Sequence, residues 1–586
     1  MTTLPAIRSA LFASLLVFPL AARAAEPRAG AAEAAAGAAE PRVGAAELSL
    51  PPPAPEDQVF SAMKAEMDRS LRNLKVETFG PPYFLAYRLI DDATVRLISA
   101  FGAPVRQERE EDRTLYVEAR VGDASFDNTD LTYNGKSGSA AAQPDVLRHH
   151  LWSLTDDAYK SAVAGYLEKK AKKATELERD KLDDLSKEAS YTASVPNASV
   201  APDAAAVRGL LQAASAQFKR YPWVHGSYAY VELERTRRYL LTSEGARIAT
   251  PYESAPFSLV LNAWTRADDG MRLDNRRSWV ASSFKDLPPL DVVEGEIDSL
   301  AQELKAARES PVQAPFSAPA ILDPEMAGVF FHEALGHKLE GQRQRDPNES
   351  QVFRDEVGLR VIPDFLSVVD DPTMKQFDGI TLHGAYDYDD DGVPAQKVVL
   401  VDHGVLKNFL MSRWPIKGFS RSNGHGRAGP MNHASGRMAN LMVIAHQPVT
   451  RAELKMRLMA LARAQGKPYG FLLVGSSGGE NPNNRRAAQT LEARPRLIFR
   501  IDARTGVETA VRGVKMVGTP LVVLNRIVAA GDDMKVSNAF TCGAESGQVP
   551  VDQIAPSLLV SNIELQRVPE ERARPPILPS PFHEND

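Results

Sequence analysis

Two histidines five residues apart, inside an apolar run, constrain this chain more than any other feature. His332 and His337 lie in residues 330–341, FFHEALGHKLEG, and Glu333 follows the first histidine. On one helix, a His-Glu pair and a second His can present two metal ligands and a general base, as zinc hydrolases do. An ideal α-helix separates residues i and i+5 by about 140°, too far for one ion. The spacing therefore predicts either an accidental pair or a helix that is widened or broken between the histidines. A local π-turn would widen it, and Gly336 would allow that adjustment.

The segment is predicted to be helical independently of its histidines. Asp323 is a good N-cap, Pro324 suits the first helical position and Glu325 suits the positive end of the helix dipole. Apolar residues at 326, 329 and 330 provide a face to bury. The helix that begins at residue 324 should therefore belong to the protein core.

Length and composition describe an ordinary globular chain. The 586 residues are 44% hydrophobic and 25% charged, which suits two to four domains. A net charge of -6 provides no large basic face, so nucleic acid is not expected as a partner. After the N-terminal region, no apolar run approaches the ~18 residues of a membrane span.

The N-terminal residues are typical of export. Arg8 precedes the apolar run 10–20, and Ala22-Arg23-Ala24 ends the stretch. Residues 1–24 therefore predict a cleaved secretory signal peptide, and the Ala- and Pro-rich residues 25–55 predict a disordered tether. We expect an exported protein, in a bacterial periplasm or secreted.

The remaining pattern predicts an α+β fold. Helices and antiparallel-looking strands alternate in an N-terminal α+β domain, 56–200, and a middle α+β region, 201–319. A β-rich C-terminal α+β domain, 320–570, carries the histidine motif, and residues 571–586 form a tail. Within the first domain, we expect a helix over 56–74, a long helix over 157–188, and strands separated at Asp91-Asp92.

Three loops rich in glycine and amides follow the histidine motif, at residues 422–427, 432–440 and 476–484. Such loops line clefts with backbone donors, although they also serve as ordinary turns. They supply the candidates for a substrate cleft: Arg427, Arg437, Asn440, Gly478 and Gly479.

Cys542 is the single cysteine of the chain. It cannot form an internal disulfide, so it is a buried inert thiol, a nucleophile or a metal ligand. Its neighbours, residues 540–548, predict a polar, Gly-rich loop. That setting favours a ligand over a core position.

These features together resemble the TldD/PmbA metallopeptidases, once described as modulators of DNA gyrase. The likeness covers about residues 320–549 and includes the motif at 332–341, residues 389–396, the loops at 426–427 and 437–440, and Cys542-Gly543 with Gly547-Gln548. The resemblance implies Zn²⁺ held by His332, His337 and Cys542, with Glu333 as the general base. Between Cys542-Gly543 and Gly547-Gln548 the chain has one residue more than the family pattern.

The resemblance also implies cleavage of unfolded peptides and a dimer enclosing a cavity. The dimer partner is a second copy or a paralogue that lacks the metal site. Two other hypotheses about the function stay open. Cys542 can serve as a nucleophile activated by His425 or His433, which makes the protein a metal-independent hydrolase. Alternatively, the protein binds peptides or assembles partners without catalysis.

Overall fold

An eight-stranded sheet forms the N-terminal half of the computed structural model. The structure describes residues 48–130, 135–173, 182–197, 202–252, 256–345, 349, 351–480, 491–568 and 572–584. The strands of this sheet are β1 (Phe84–Ala100), β2 (Ala103–Arg120), β5 (Lys136–Ser139), β6 (Thr192–Ser194), β7 (Gly226–Thr242), β8 (Arg247–Pro251), β9 (Phe257–Arg266) and β10 (Arg272–Ala281), while β3 (Gly122–Asp123) pairs with β4 (Phe126–Asp127). The strand order is β10-β9-β7-β1-β2-β5, and β8 joins β6 to β7.

Four helices cover one face of this sheet. They are α1 (Glu56–Asn73), α2 (Pro144–Lys173), α3 (Ala204–Gln217) and α4 (Leu290–Glu309). Alternate residues of the strands point towards them, as Leu85, Tyr87 and Leu89 do in β1. α1 and α2 form one apolar cluster with the sheet, and α3 and α4 form a second. The other face of the sheet is therefore free to meet the C-terminal half.

β1 is continuous through Asp91-Asp92, so the predicted interruption there was wrong. Asp91 is fully buried, and its carboxylate accepts a hydrogen bond of 2.7 Å from the backbone N–H of Ala54. Arg113 of β2 and Arg235 of β7 each place a guanidinium nitrogen 3.2 Å from it. These cross-strand partners offset the cost of burying the charge and let the strand run on.

The predicted helices match the structure unevenly. α1 lies where a helix was expected over 56–74. α2 begins at Pro144 rather than near 157, because Leu147 and Leu151 also bury against the sheet. The expected continuation to 188 was wrong for residues 182–188, which are not helical, and residues 174–181 lie outside the described part.

Two further sheets build the C-terminal half. The first has β11 (Phe316–Leu322), β20 (Tyr469–Glu480), β21 (Leu491–Asp502), β22 (Glu508–Val511), β23 (Val514–Gly518), β24 (Ile527–Ala530) and β27 (Leu558–Arg567). The second has β12 (Leu366–Asp370), β15 (Val398–Asp402), β16 (Val405–Leu406), β19 (Asn440–Ala445), β25 (Lys535–Ala544) and β26 (Gly547–Ala555). Two ribbons, β13 (Gln376–Phe377) with β14 (Ile380–Thr381) and β17 (Gly426–Arg427) with β18 (Ser435–Gly436), complete the strands.

The helix α5 (Pro324–Ala334) lies between these two sheets. It contacts β20 and β21 of one sheet and β19, β25 and β26 of the other. Apart from Glu325, every residue of α5 is buried, so the helix is enclosed on all sides. The helices α6 (Arg451–Ala464) and α7 (Pro520–Leu524) pack further out. The histidine motif is thus at the centre of the C-terminal core.

The structure confirms the expected α+β class, with an N-terminal α+β region followed by a β-rich one. Strands from both sides of residue 200 pair in one sheet, as β1 does with β7. The domain boundaries themselves stay predictions. Residues 1–47, which contain the predicted signal peptide and most of the tether, lie outside the described part. Among the described helices, none combines the length and apolar character that crossing a membrane requires.

Candidate metal centre

The sequence signals at the start of α5 produce the helix as predicted. The Asp323 side chain accepts a hydrogen bond of 2.9 Å from the backbone N–H of Met326, and Pro324 occupies the first turn. The same carboxylate accepts a bond of 3.0 Å from the N–H of Gly475 in β20. The cap therefore also ties the helix to the neighbouring sheet, which fixes the position of the motif.

The helix breaks between the two histidines, which is one of the two predicted ways of bringing them together, and it does not widen into a π-turn. α5 ends at Ala334, and Leu335 departs from helical geometry with φ -120° and ψ -52°. Residues 336–339 then form a 3₁₀ turn, in which the N–H of Lys338 bonds to the carbonyl of Leu335. The tighter turn changes the direction of the following side chains. The break brings His337 back towards His332, with ring centroids 4.9 Å apart.

Gly336 serves a different purpose from the one predicted. The unusual backbone angles belong to Leu335, not to Gly336. A Cβ atom at residue 336 would come 2.0 Å from the sulfur of Met438, which is closer than any real contact. Glycine is needed here because the loop carrying Met438 packs directly against the turn.

Three donor groups meet at this break. Nε2 of His332 lies 3.1 Å from the Cys542 sulfur, and Nε2 of His337 lies 3.5 Å from it. All three side chains are buried, and their donor atoms lie within 4.8 Å of one another. Two residues of one helix-turn segment and one residue about 205 positions later thus form a single cluster.

Cys542 lies in a strand, so the expected loop was wrong. It belongs to β25, pairs with Val549 of β26, and contributes to the main apolar cluster. Its backbone strand is at the edge of its sheet, and its side chain points inwards to the histidines. Burial alone would raise the pKa of the thiol, but His332, His337 and Arg437 together hold it well below its usual value. The surroundings therefore favour the thiolate, the form that binds metals.

Glu333 lies beside the cluster on the last turn of α5. It is almost completely buried, and burial raises its pKa, a change that His337 and His332 oppose. Gly479 of β20 packs against it, since a Cβ at residue 479 would come 2.8 Å from the Glu333 Cγ. A desolvated carboxylate with a raised pKa accepts a proton more readily than an exposed glutamate does.

A buried carboxylate orients one of the histidines. Nδ1 of His337 lies 2.8 Å from Oε1 of Glu340, which is completely buried. The second oxygen of Glu340 accepts a bond of 2.7 Å from Arg343, and Arg343 continues at 2.7 Å to Glu545. Arginine neighbours and His337 outweigh burial and hold the pKa of Glu340 well below its usual range. Glu340 therefore stays ionised and directs Nε2 of His337 towards the cluster.

Sequence reasoning did not assign roles to Glu340, Arg343 or Glu545. A signal was present for the first, because a carboxylate three residues after His337 lies on the same side of a helical turn. The contribution of Glu545 depends on the hairpin that also carries Cys542, and no local pattern indicates it. The additional residue between Cys542-Gly543 and Gly547-Gln548 thus lies in a turn that contacts the centre.

The predicted cleft residues divide into two groups. Arg427 is buried and donates to the carbonyls of Met438 and Pro550, while Asn440 is buried and donates to those of Asp371 and Met374. Arg437 is completely buried beneath the donor cluster. In this chain the donors of these three residues bond to interior groups, and their assignment to a cleft stays a prediction. Gly478 and Gly479 lie in β20, where Gly479 lines Glu333, and residues 481–484 lie outside the described part.

His425 and His433 are engaged elsewhere. The ring nitrogens of His425 contact Asp370 at 3.2 Å and Asn423 at 3.1 Å. His433 packs against Trp414 with the rings tilted by 39°, and its Nδ1 lies 3.3 Å from Glu118 of the N-terminal sheet. The prediction that one of them activates Cys542 was therefore wrong, because the imidazoles beside Cys542 are those of His332 and His337.

Two cavities lie between the open face of the N-terminal sheet and the β25–β26 hairpin. They measure about 190 Å³ and 150 Å³, and Glu234 and Thr541 line both. Side chains alternate along a strand, so Thr541 faces the cavities while Cys542 faces the donor cluster. These cavities are thus separated from the cluster by the strand itself.

Comparison with known proteins agrees with this geometry. Residues 315–567 match the family model described as the PmbA/TldA metallopeptidase C-terminal domain. This segment includes α5, the break at Leu335 and the hairpin with Cys542. The comparison therefore supports the TldD/PmbA family for the half of the chain that carries the donor cluster.

Individual relatives are metalloproteases by name. The chain is 32% identical to a metalloprotease of Methanocaldococcus jannaschii over 233 residues, 39% of this chain and 47% of the relative. It is 24% identical to a zinc metalloprotease TldD homolog of Saccharolobus solfataricus over 247 residues, 42% of this chain and 51% of the relative. The chain spans about half the length of these curated relatives.

A solved structure extends the likeness of the fold to most of the chain. TldE of Thermococcus kodakarensis superimposes with a TM-score of 0.56 at 14% sequence identity, covering 86% of this chain and 100% of the other. At this identity the likeness concerns the fold alone. The arrangement of an N-terminal sheet and a two-sheet C-terminal half is therefore shared.

Proposed function

We propose that this chain is a zinc-dependent metallopeptidase of the TldD/PmbA family that hydrolyses peptide bonds in unfolded or extended polypeptides. The convergence of His332, His337 and Cys542 carries this proposal, because three buried donors from distant parts of the chain meet at one point. The family model and the named metalloprotease relatives support it.

The donor set fits zinc. Imidazole nitrogens and a thiolate are the ligands that zinc takes, and three protein ligands leave a fourth position for water. With usual bond lengths, a tetrahedral ion places sulfur and nitrogen ligands about 3.5 Å apart. The observed separations of 3.1 and 3.5 Å are close to that value. When bound, zinc supplies a polarised water and a Lewis acid for the peptide carbonyl.

The protein residues provide orientation and proton transfer. Glu340 holds Nδ1 of His337, so that Nε2 points to the cluster. Glu333 takes a proton from the attacking water on its carboxylate and passes it to the leaving nitrogen, a role worth ~10² to 10⁴-fold in rate. Packing of Gly479 against Glu333 limits the water around the carboxylate.

The substrate, the partner and the location belong to the same proposal. Resemblance to the family suggests extended peptides as substrates and a dimer with a second copy or a paralogue. The apolar residues 10–20 and the Ala-Arg-Ala stretch suggest export to a periplasm or the exterior. The relatives' names indicate proteases and do not specify these features.

Metal analysis combined with hydrolysis tests the function. We expect one zinc ion per chain and cleavage of casein, an unfolded protein. Chelation with phenanthroline should abolish cleavage, and added zinc should restore it. Cleavage at an unchanged rate by metal-free protein would overturn the proposal.

One observation favours a second candidate, a cysteine hydrolase. The Cys542 sulfur lies 3.1 Å from Nε2 of His332, within the reach of a thiol and an activating imidazole. In this alternative His332 replaces the histidines expected from the sequence. Metal-free activity that alkylation of Cys542 abolishes would support it, and bound metal without hydrolysis would favour a binding protein.

A further inference from the structure

Arg437 is completely buried directly under the donor cluster. A fully buried arginine is rare unless each part of its guanidinium has a partner. Here the partners come from the strand of Cys542, from the following turn, and from the carboxylate that orients His337. The arginine thus touches the supports of two of the three donors.

One arm of the guanidinium fixes the cysteine. Nη2 donates to the Cys542 sulfur at 3.1 Å and to the carbonyl of the same residue at 2.7 Å. Nη1 donates at 2.8 Å to the Ser546 hydroxyl and at 2.9 Å to the carbonyl of Gly547. β25 is an edge strand that pairs only with β26 among the described strands. These four bonds anchor the hairpin where β-pairing alone leaves one side free.

The other side of the guanidinium reaches the carboxylate that orients His337. Nε of Arg437 lies 3.3 Å from Oε1 of Glu340, the same oxygen that accepts from His337. Glu340 therefore contacts both His337, which is one of the three donors, and Arg437, which holds Cys542. Arg343 also binds Glu340, but through the second oxygen, and continues to Glu349 and Glu545 rather than to Cys542.

The arginine is itself held in place by the backbone. The N–H of Arg437 donates to the carbonyl of His425 at 3.0 Å. Two residues on, the N–H groups of Ala439 and Asn440 donate to the buried carboxylate of Asp370 at 3.1 and 3.2 Å. The loop is rigidly anchored on the side away from the cluster, so it can act as a fixed reference for the donors.

We propose that Arg437 is a positioning residue of the centre, which holds the Cys542 sulfur and the Glu340 carboxylate at once and so sets the spacing of the donors before a metal binds. This rests on the proposed metal centre. A planar fork can keep both contacts, whereas a lysine ammonium offers one point of charge on a flexible stem. The contribution should therefore depend on the shape of the side chain as well as on its charge.

Cobalt(II) binding to the full-length protein tests this inference. Thiolate-to-cobalt charge transfer absorbs in the near ultraviolet and reports the sulfur ligand directly. For Arg437→Lys we expect a 10- to 100-fold weaker cobalt affinity in competition with a chelator, the loss usual for contacts outside the ligands, and a weaker charge-transfer band. Arg413→Lys is the matched control, because Arg413 is also a buried arginine and its guanidinium donates to Ser186 and Glu244, away from the donor cluster. It should keep the band.

Ser546→Ala keeps the test decisive if Arg437→Lys does not fold. This substitution removes the buried hydroxyl that accepts a hydrogen bond from Nη1 of Arg437. Cobalt affinity should fall a few-fold, while thermal unfolding of the metal-free protein changes little. If every Arg437 and Ser546 variant that folds keeps the wild-type cobalt affinity and charge-transfer band, the inference about Arg437 is overturned but the metal centre is not. A wild-type protein that binds no cobalt would overturn the metal centre, and this inference with it.

Discussion

Nδ1 of His337 lies 2.8 Å from Oε1 of Glu340, and both side chains are enclosed by protein. His337 lies in the 3₁₀ turn 336–339, and Glu340, three positions on, is the extended residue that caps the end of that turn. The same turn that redirects His337 thus also supplies its carboxylate partner. One local change of backbone geometry builds both the ligand and its support.

Glu340→Gln should weaken metal binding while leaving the ligands unchanged. The amide cannot match the charge of the carboxylate between His337, Arg343 and Arg437, so the ring loses its strongest orienting contact. We expect zinc affinity to fall ~10- to 100-fold, measured by chelator competition. Glu325→Gln is the control, because Glu325 is on the first turn of α5 and pairs with Arg496. Equal affinities in the two variants would contradict the role of Glu340.

Glu333→Gln should separate binding from catalysis. The substitution preserves shape but removes the proton acceptor, so zinc content should stay at the wild-type level while turnover falls by ~10² or more. Zinc content and casein hydrolysis are measured on the same preparation. Wild-type turnover would show that Glu333 is not the base, and loss of zinc would show that it supports the metal instead.

The beginning of the motif could be predicted from the sequence because its determinants are local. Asp323, Pro324 and the apolar run specify the start of α5 within a few residues. A widened or broken helix between the histidines was predicted, but the position of the break at Leu335 was not, since it accompanies the packing of Met438, a residue about 100 positions away, against Gly336. Helix propensity alone carries no information about such a contact.

The donor residues and the residues around them also differ in how far the sequence predicts them. Cys542 entered the set through family resemblance, and its polar, Gly-rich neighbours suggested a loop where the structure has a strand edge. Arg437 was predicted to line a cleft because it lies in one of the loops rich in glycine and amides that follow the histidine motif. Its burial depends on Cys542, Glu340 and Ser546, which only the fold brings together. Long-range pairing likewise keeps Asp91 within β1.

Gly336→Ala tests the packing at the break. The new methyl group would meet the Met438 sulfur at 2.0 Å, so the loop must move, and we expect a loss of about 1–3 kcal/mol in stability. Gly295→Ala in the exposed middle of α4 meets no atom within 4 Å and should stabilise the protein by about 1 kcal/mol. Denaturant unfolding measures both. If Met438→Ala does not restore part of the loss in a double variant, the contact is not the cause.

Asp323→Asn should change how stability depends on pH. Burial raises the pKa of Asp323 in the folded protein to about 6, above the 3.8 of an unperturbed aspartate. This group therefore contributes stability that is fully present below about pH 4 and is lost as pH rises through about 6. Asparagine caps a helix as well as aspartate does but has no proton to lose as pH rises.

The measurement is denaturant unfolding of both proteins from pH 4 to 8. Relative to wild type, the variant should gain about 2–4 kcal/mol across this range. A constant difference between the two proteins would show that Asp323 titrates at its ordinary pKa. Asparagine has a single acceptor oxygen, so with Met326 still capped the bond from the N–H of Gly475 is lost in the variant at every pH, which shifts the baseline and not the slope.

Cys542→Ser decides between the two proposed chemistries. A hydroxyl is a poor zinc ligand at neutral pH, so the variant should lose most of its zinc and its activity in proportion. In the wild type, bound metal should shield the sulfur, so that alkylation is slow with zinc and fast after chelation. Full zinc without activity in the variant would favour the nucleophile paired with His332. Full zinc with full activity would make Cys542 an inert core thiol, and the cluster of donors would then lack its third ligand.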